Sequence, residues 1–129
     1  MRFEVSQDFY FDAAHTLERQ IEAAGSRRIH GHTYHARATV AGPRDAATGM
    51  VIDLGELRHH LKAVRESLDH HLLDEVPGLG TPTMENLCIF IARKLREADM
   101  PVQSVEVWRK AGGDHCRLTI APDDFLPVL

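Results

Sequence analysis

The stretch His30-Gly31-His32-Thr33-Tyr34-His35-Ala36-Arg37-Ala38-Thr39-Val40-Ala41 decides how this chain folds. From His32 to Ala41, Tyr34, Ala36, Ala38 and Val40 occupy alternate positions. A period of two predicts a half-buried β-strand. Gly42-Pro43-Arg44-Asp45 ends it with turn chemistry. Side chains two residues apart on a strand share a face, so His30 and His32 point the same way. Their roots stand roughly 7 Å apart by the strand rise, which lets both rings converge on one ion. Gly31 between them has no side chain and leaves room for close approach.

Upstream, Phe3, Val5, Phe9 and Phe11 alternate with polar residues and predict a strand over about residues 2–13. His15 lies just past its end. An imidazole from this neighbouring strand would complete a three-nitrogen site. Three protein ligands with an open position are the catalytic form of a zinc site, whereas structural zinc is closed by four. The competing reading leaves His30 and His32 as ordinary polar strand positions and His15 as a loop residue. Residues 16–29 are polar, carry Gly25 and read as a loop.

Downstream, Asp53 opens a helix and Glu56, three places on, suits a capping box. Leu54, Leu57, Leu61, Val64 and Leu68 recur at steps of three and four, an apolar stripe that fades near Asp69-His70-His71-Leu72. Pro77-Gly78-Leu79-Gly80 is a connector. Thr81-Pro82 starts a second helix, with proline at its favoured first position and Leu87, Cys88, Ile91 and Leu95 on the inner face. That helix should end near Asp99. Strands are expected at about 102–109 and 115–121, joined through Ala111-Gly112-Gly113-Asp114. The order β-β-α-α-β-β predicts an α+β domain over residues 1–129, a four-stranded antiparallel sheet with two helices on one face. Edge strands and an uncovered sheet face favour a homo-oligomer.

Composition narrows the function classes. Of 129 residues, 43% are hydrophobic and 26% charged, ordinary values for one globular domain. A net charge of −4 argues against a broad nucleic-acid footprint. No apolar run is long enough to span a membrane, and the first residues enter a strand pattern without signal-peptide character. Cys88 and Cys116 are too few for a disulfide framework, so a reduced, cytoplasmic chain is expected.

Further clusters bear on chemistry. In Asp69-His70-His71 a carboxylate beside an imidazole can fix its tautomer for acid/base work, while a polar helix end is the plainer alternative. Thr83-Met84-Glu85-Asn86 offers a hydroxyl, a carboxylate and helix amides to a heterocycle, or simply caps a helix. Arg27-Arg28 and Arg109-Lys110 suit an anionic substrate or solvated surface. His59-His60 read as surface.

In this order the pieces resemble the 6-pyruvoyl-tetrahydropterin synthase and 6-carboxy-tetrahydropterin synthase family. The matching stretches are Phe11-Asp12-Ala13-Ala14-His15, His30-Gly31-His32-Thr33-Tyr34, Val51-Ile52-Asp53-Leu54-Gly55-Glu56-Leu57, Leu68-Asp69-His70-His71-Leu72-Leu73 and Pro82-Thr83-Met84-Glu85-Asn86. The resemblance implies a tunnelling fold whose sheets close a barrel in the oligomer, a homohexamer built as a dimer of trimers with sites between subunits. It implies Zn2+ on His15, His30 and His32, proton transfer by Asp69 and His70, and a pterin pocket lined by Thr83 and Glu85. The implied substrate is dihydroneopterin triphosphate. The implied outcome is loss of triphosphate, or side-chain cleavage to a 6-carboxy product feeding queuosine-type deazapurine synthesis.

Two positions depart from that pattern. Ser26 stands where the family places a catalytic cysteine. A serine hydroxyl yields almost no alkoxide at neutral pH, so His70 or a metal-activated water would have to take the proton. Arg109 stands where a glutamate grips the donor-rich edge of the pterin. Arginine has five donors and no acceptor, so Glu106 or Asp114 would have to substitute, or the ligand would have to present acceptors or negative charge. The expected function is a zinc-dependent pterin-processing lyase with altered Ser26 and Arg109 positions. The alternative is a zinc-containing binding homologue without turnover. A small zinc hydrolase using Glu22, His35 or His70 as base is the third possibility.

Overall fold

Two long strands set the frame: β1 (Phe3–His15) and β2 (His30–Gly42) pair antiparallel along their whole lengths, from Phe3 opposite Gly42 to His15 opposite His30. The computed structural model describes residues 1–129. β1 runs past the expected 2–13 at its C-terminal end, and β2 passes the expected 32–41 at both ends. The ladder continues past the last alternating apolar residue because backbone pairing does not need an apolar side chain. His15 is therefore the last residue of β1 and not a loop residue.

The segment between them, expected to be loop throughout, contains a short helix α1 (Ala23–Arg27). A five-residue turn is too short for a hydrophobic period to announce it. After β2 come α2 (Leu54–Leu68), a 3₁₀ turn over Leu73–Glu75, α3 (Met84–Glu97), β3 (Val102–Arg109) and β4 (Asp114–Thr119). The sheet order is β1-β2-β3-β4, each neighbour antiparallel, as the β-β-α-α-β-β order implies.

The core lies between the helices and one face of the sheet. Phe11, Tyr34, Ala36, Ala38, Val40, Val105 and Val107 are buried from the sheet side. Leu57, Leu61, Val64 and Leu68 of α2, with Leu87, Ile91 and Leu95 of α3, meet them. The predicted helical stripes are these buried faces.

The caps differ in detail from expectation. Asp53 caps α2 by accepting the Gly55 amide at 2.8 Å. Glu56 makes no reciprocal bond, and its carboxylate lies 3.9 Å from His60. Thr83, not Pro82, delimits α3, its hydroxyl accepting the Asn86 amide at 3.1 Å. Pro82 thus sits outside the helix with its carbonyl free for another partner.

The opposite face of the sheet is polar. Arg37 grips Asp8 in two hydrogen bonds of 2.7 and 3.0 Å. Trp108 stacks between His35 and His115, at 5.7 and 5.6 Å between ring centres. Glu106 belongs to this face, with His115 at 3.5 Å and Arg37 and Arg117 at 4.0 Å. No helix is long and apolar enough to cross a membrane.

Candidate metal centre

His15 and His30 are cross-strand partners, and His32 lies two residues along β2 on the same face. The β1–β2 register therefore brings all three rings together. His15 Nε2 lies 3.0 Å from His30 Nε2 and 3.0 Å from His32 Nε2. The three ligand atoms all fall within 4.8 Å of one another. An ion holding nitrogens at about 2.0–2.1 Å in tetrahedral geometry separates them by roughly 3.4 Å, so the spacing fits.

Backbone carbonyls fix two of the tautomers. His15 donates from Nδ1 to the Pro82 carbonyl at 3.0 Å, and His30 donates from Nδ1 to the Arg28 carbonyl at 2.7 Å. A carbonyl only accepts, so each Nδ1 carries the proton and each Nε2 presents a lone pair. Two lone pairs 3.0 Å apart repel unless a cation stands between them. The outer hydrogen bonds are of the kind that orient metal-bound imidazoles.

Electrostatics agree with this donor set. Burial holds the His15 pKa below its ordinary value, and the neighbouring His30 and Arg109 add to the effect against the opposing Pro82 hydrogen bond. His32 is pushed down to about 4, by burial first and then by Arg109, His15 and His30. Neutral imidazole is the form that binds a metal. The group His15, His30 and His32 can hold a metal ion.

One cavity adjoins the triad, and a second lies beside it across Arg109. One, of about 540 Å³, is lined by Ser26, His30, His32 and Arg109. The other, of about 660 Å³, is lined by Thr83, Glu85 and Arg109. Arg19, Arg109 and Asp114 border both. Six of the expected site residues thus line two cavities that meet at Arg109. Ser26 donates its hydroxyl to the Glu22 carbonyl at 2.9 Å, within α1. Thr83 lends its oxygen to the α3 cap.

Asp69 and His70 lie elsewhere. They form a tight pair, with Oδ2 2.8 Å from His70 Nδ1. Asp69 also accepts the Asp12 amide at 2.9 Å, and that bond, followed by the one to His70, holds its carboxyl below the usual range. His70 takes a left-handed backbone, φ 58°, and its side chain is 79% exposed. It borders a third cavity, of about 520 Å³, with Asp12, Gly31, His32 and Thr33. Within one chain the pair does not enter the region of Ser26 and Arg109.

Arg109 is buried, 8% exposed. It points Nη2 at Asp114 Oδ2, 2.6 Å away, and Nη1 at His32 Nε2, 3.2 Å away. Its Nε and the Tyr34 hydroxyl are buried without hydrogen-bond partners. Of the two carboxylates expected to replace a glutamate at 109, Asp114 borders both cavities. Glu106 does not, because it alternates with core-facing Val105 and Val107 and so faces the other side of the sheet. The Pro82 and Arg28 carbonyls were not foreseeable, since backbone groups leave no trace in residue identity. Arg19 and Asp74 were also missed. Asp74 anchors the start of the loop after β1 by accepting the Thr16 amide and hydroxyl at 2.8 and 2.5 Å.

Residues 4–116 match the model of the family described as 6-pyruvoyl tetrahydropterin synthase. The chain is 39% identical over 109 residues to the 6-carboxy-5,6,7,8-tetrahydropterin synthase of Synechocystis sp., covering 80% of this chain and 83% of that one. It is 34% identical over 113 residues to the 6-pyruvoyl tetrahydrobiopterin synthase of Homo sapiens, covering 77% of each. Its fold superposes on the Caenorhabditis elegans 6-pyruvoyl tetrahydropterin synthase with a TM-score of 0.78 at 22% identity, over 94% of this chain and 97% of that one. The paired histidine strands, the helix-covered sheet and these matches together place the chain in the 6-pyruvoyl tetrahydropterin synthase family.

Proposed function

We propose that the chain is a zinc-dependent lyase acting on dihydroneopterin triphosphate or a related pterin-like compound. The observation that carries this reading is the convergence of three Nε2 atoms beside a cavity, with two of the opposite ring nitrogens locked as donors. When bound by His15, His30 and His32, zinc supplies a Lewis acid toward hydroxyl oxygens of the substrate side chain.

The remaining work falls to the chain's own groups. Glu85 offers a carboxylate to ring N–H donors at the mouth of the α3 cavity, and the Thr83 hydroxyl hydrogen remains free to donate. Asp69 holds His70 through Nδ1 and leaves Nε2 to take a proton from the substrate side chain and return it. The exposure of His70 and its distance from Ser26 favour a site completed by assembly. In this reading a homohexamer, a dimer of trimers, brings His70 of one copy to the cavity of another. Free edges at β1 and β4 are compatible with such pairing. Ser26 positions α1 through Glu22 and leaves the proton to His70. The product is either the triphosphate-eliminated pterin or a 6-carboxy pterin that feeds queuosine-type synthesis.

A second reading, a zinc-containing binding homologue without turnover, is favoured by Arg109 and by the engaged Ser26 hydroxyl. Incubating zinc-loaded protein with dihydroneopterin triphosphate and following products by mass spectrometry separates the two. The lyase reading expects zinc-dependent conversion by the natural chain, faster in the double variant Ser26→Cys, Arg109→Glu. Conversion by the double variant alone selects the binding reading. Conversion by neither overturns the lyase reading and shows that the pocket differs from a pterin synthase at more than these two residues.

A further inference from the structure

Arg109 is a cation placed against a cation site. Its Nη1 lies 3.2 Å from the Nε2 lone pair of His32, the lone pair an ion at the triad would use. Occupying the centre removes that acceptor from a guanidinium only 8% exposed. It also sets a second positive charge beside the first. Asp114 offsets part of this through Nη2 at 2.6 Å. Asp114 leaves Nη1 without a partner, however, and Nε has none already. Both are buried donors, and a buried donor needs an acceptor. Glu106 cannot supply it from the far face of the sheet. Glu85, in the first turn of α3, lines a cavity together with Arg109 but makes no hydrogen bond or ion pair with it, the one carboxylate on the guanidinium being Asp114. The chain therefore lacks the acceptor that a filled centre calls for, and the cavities on both sides of Arg109 are open to a ligand that brings one.

We propose that Arg109 makes occupancy of the His15–His30–His32 centre depend on a ligand carrying an anionic oxygen, which the metal and the guanidinium share. This rests on the metal-centre reading above and narrows its substrate to compounds with a carboxylate or phosphate oxygen beside the metal. Arg109 is on this account a specificity-determining residue. It selects ligands by negative charge, where a carboxylate at the same position would select them by N–H donors.

The test measures metal binding and not turnover. Cobalt(II) is titrated into metal-free full-length protein with a competing chelator, and its visible spectrum is recorded. The buffers contain perchlorate alone, or acetate or inorganic phosphate at equal ionic strength. In the natural chain either anion should tighten cobalt binding about tenfold, the scale of one partly screened charge contact. It should also change the cobalt spectrum. A response to acetate assigns a carboxylate, and a response to phosphate assigns a phosphate. Arg109→Gln should bind cobalt more tightly than the natural chain in perchlorate and lose the anion response. Asp114→Asn, at the exposed start of β4, should shift both quantities the other way, and it carries the test if Arg109→Gln does not fold. Equal affinities across natural chain and variants, with no anion response, overturn the inference and leave the metal centre standing. Absence of cobalt binding in every form overturns the metal-centre reading itself.

Discussion

His15 and His30 face each other across the β1–β2 ladder with their Nε2 atoms 3.0 Å apart, each ring pinned by a backbone carbonyl at Nδ1. A pair held this way gains most from a cation. Zinc at about 100 times its dissociation constant should stabilise the fold by about 2.7 kcal/mol. For a domain of this size that is a rise in Tm on the order of 10 °C. His15→Ala should reduce bound zinc from one per chain to a trace and remove the rise. Calorimetric melts with and without zinc, beside metal analysis, check this. An undiminished rise in the variant would place the ion elsewhere.

Asp69 joins the end of α2 to β1 by accepting the Asp12 amide at 2.9 Å. That bond and the one to His70 lower its carboxyl pKa in the folded chain. A lowered folded value means the unfolded state takes up the proton first as pH falls. The stabilisation is therefore full well above the ordinary value near 3.8 and is lost as pH drops through the lower folded value. Asp69→Asn should lower Tm at pH 7, and the gap to the natural chain should shrink as pH falls below the ordinary value near 3.8. Melts on both sides of that value decide it, and a gap that stays constant with pH would show that the charge is irrelevant.

If His70 of one copy serves the cavity of another, activity can be rebuilt from two inactive chains. His70→Ala and His32→Ala each lose one half of the machinery. Mixed after gentle dissociation and reassembly, they should recover part of the natural turnover, because some cavities then pair an intact triad with an intact His70. Each variant alone should show none. Light scattering on the same samples reports the assembly. Mixed hexamers without recovered turnover would put His70 outside the reaction.

Much of this arrangement was written in side-chain order. The alternation Tyr34, Ala36, Ala38, Val40 predicted β2, and a strand containing His30-Gly31-His32 has to aim both rings one way. The α2 stripe from Leu54 to Leu68 was equally plain. What stayed hidden depends on registers and backbone groups. His15 joins the triad because β1 runs two pairings beyond the strand its alternation predicts, until it stands opposite His30. The Pro82 carbonyl is free because α3 starts at Thr83 and not before it. The contacts of Arg109 with His32 and Asp114 needed β2, β3 and β4 side by side. Glu106, expected as a substitute acceptor, lies on the far side of the sheet because it alternates with core-facing Val105 and Val107.

Tyr34 places its ring among the functional groups but leaves its hydroxyl without a partner. The ring stacks on Phe11 at 5.1 Å and meets the edges of His32 and His15 at 5.6 and 6.2 Å. The Arg109 guanidinium lies over it at 5.9 Å. Burial raises the phenol pKa to about 12 against the opposing pull of the neighbouring Arg109 guanidinium, which lies beside the hydroxyl outside hydrogen-bond geometry, so the group stays neutral. A buried hydroxyl without a hydrogen bond carries a desolvation cost of roughly 1–3 kcal/mol, and phenylalanine removes that cost while keeping every ring contact. Tyr34→Phe in metal-free protein should therefore leave the unfolding free energy unchanged or raise it by up to about 1 kcal/mol, the opposite sign to most core substitutions. Urea unfolding measures the change. A loss above about 1 kcal/mol would show that the hydroxyl has a partner in solution, and a water bridging it to the equally unpaired Arg109 Nε would then be the first candidate.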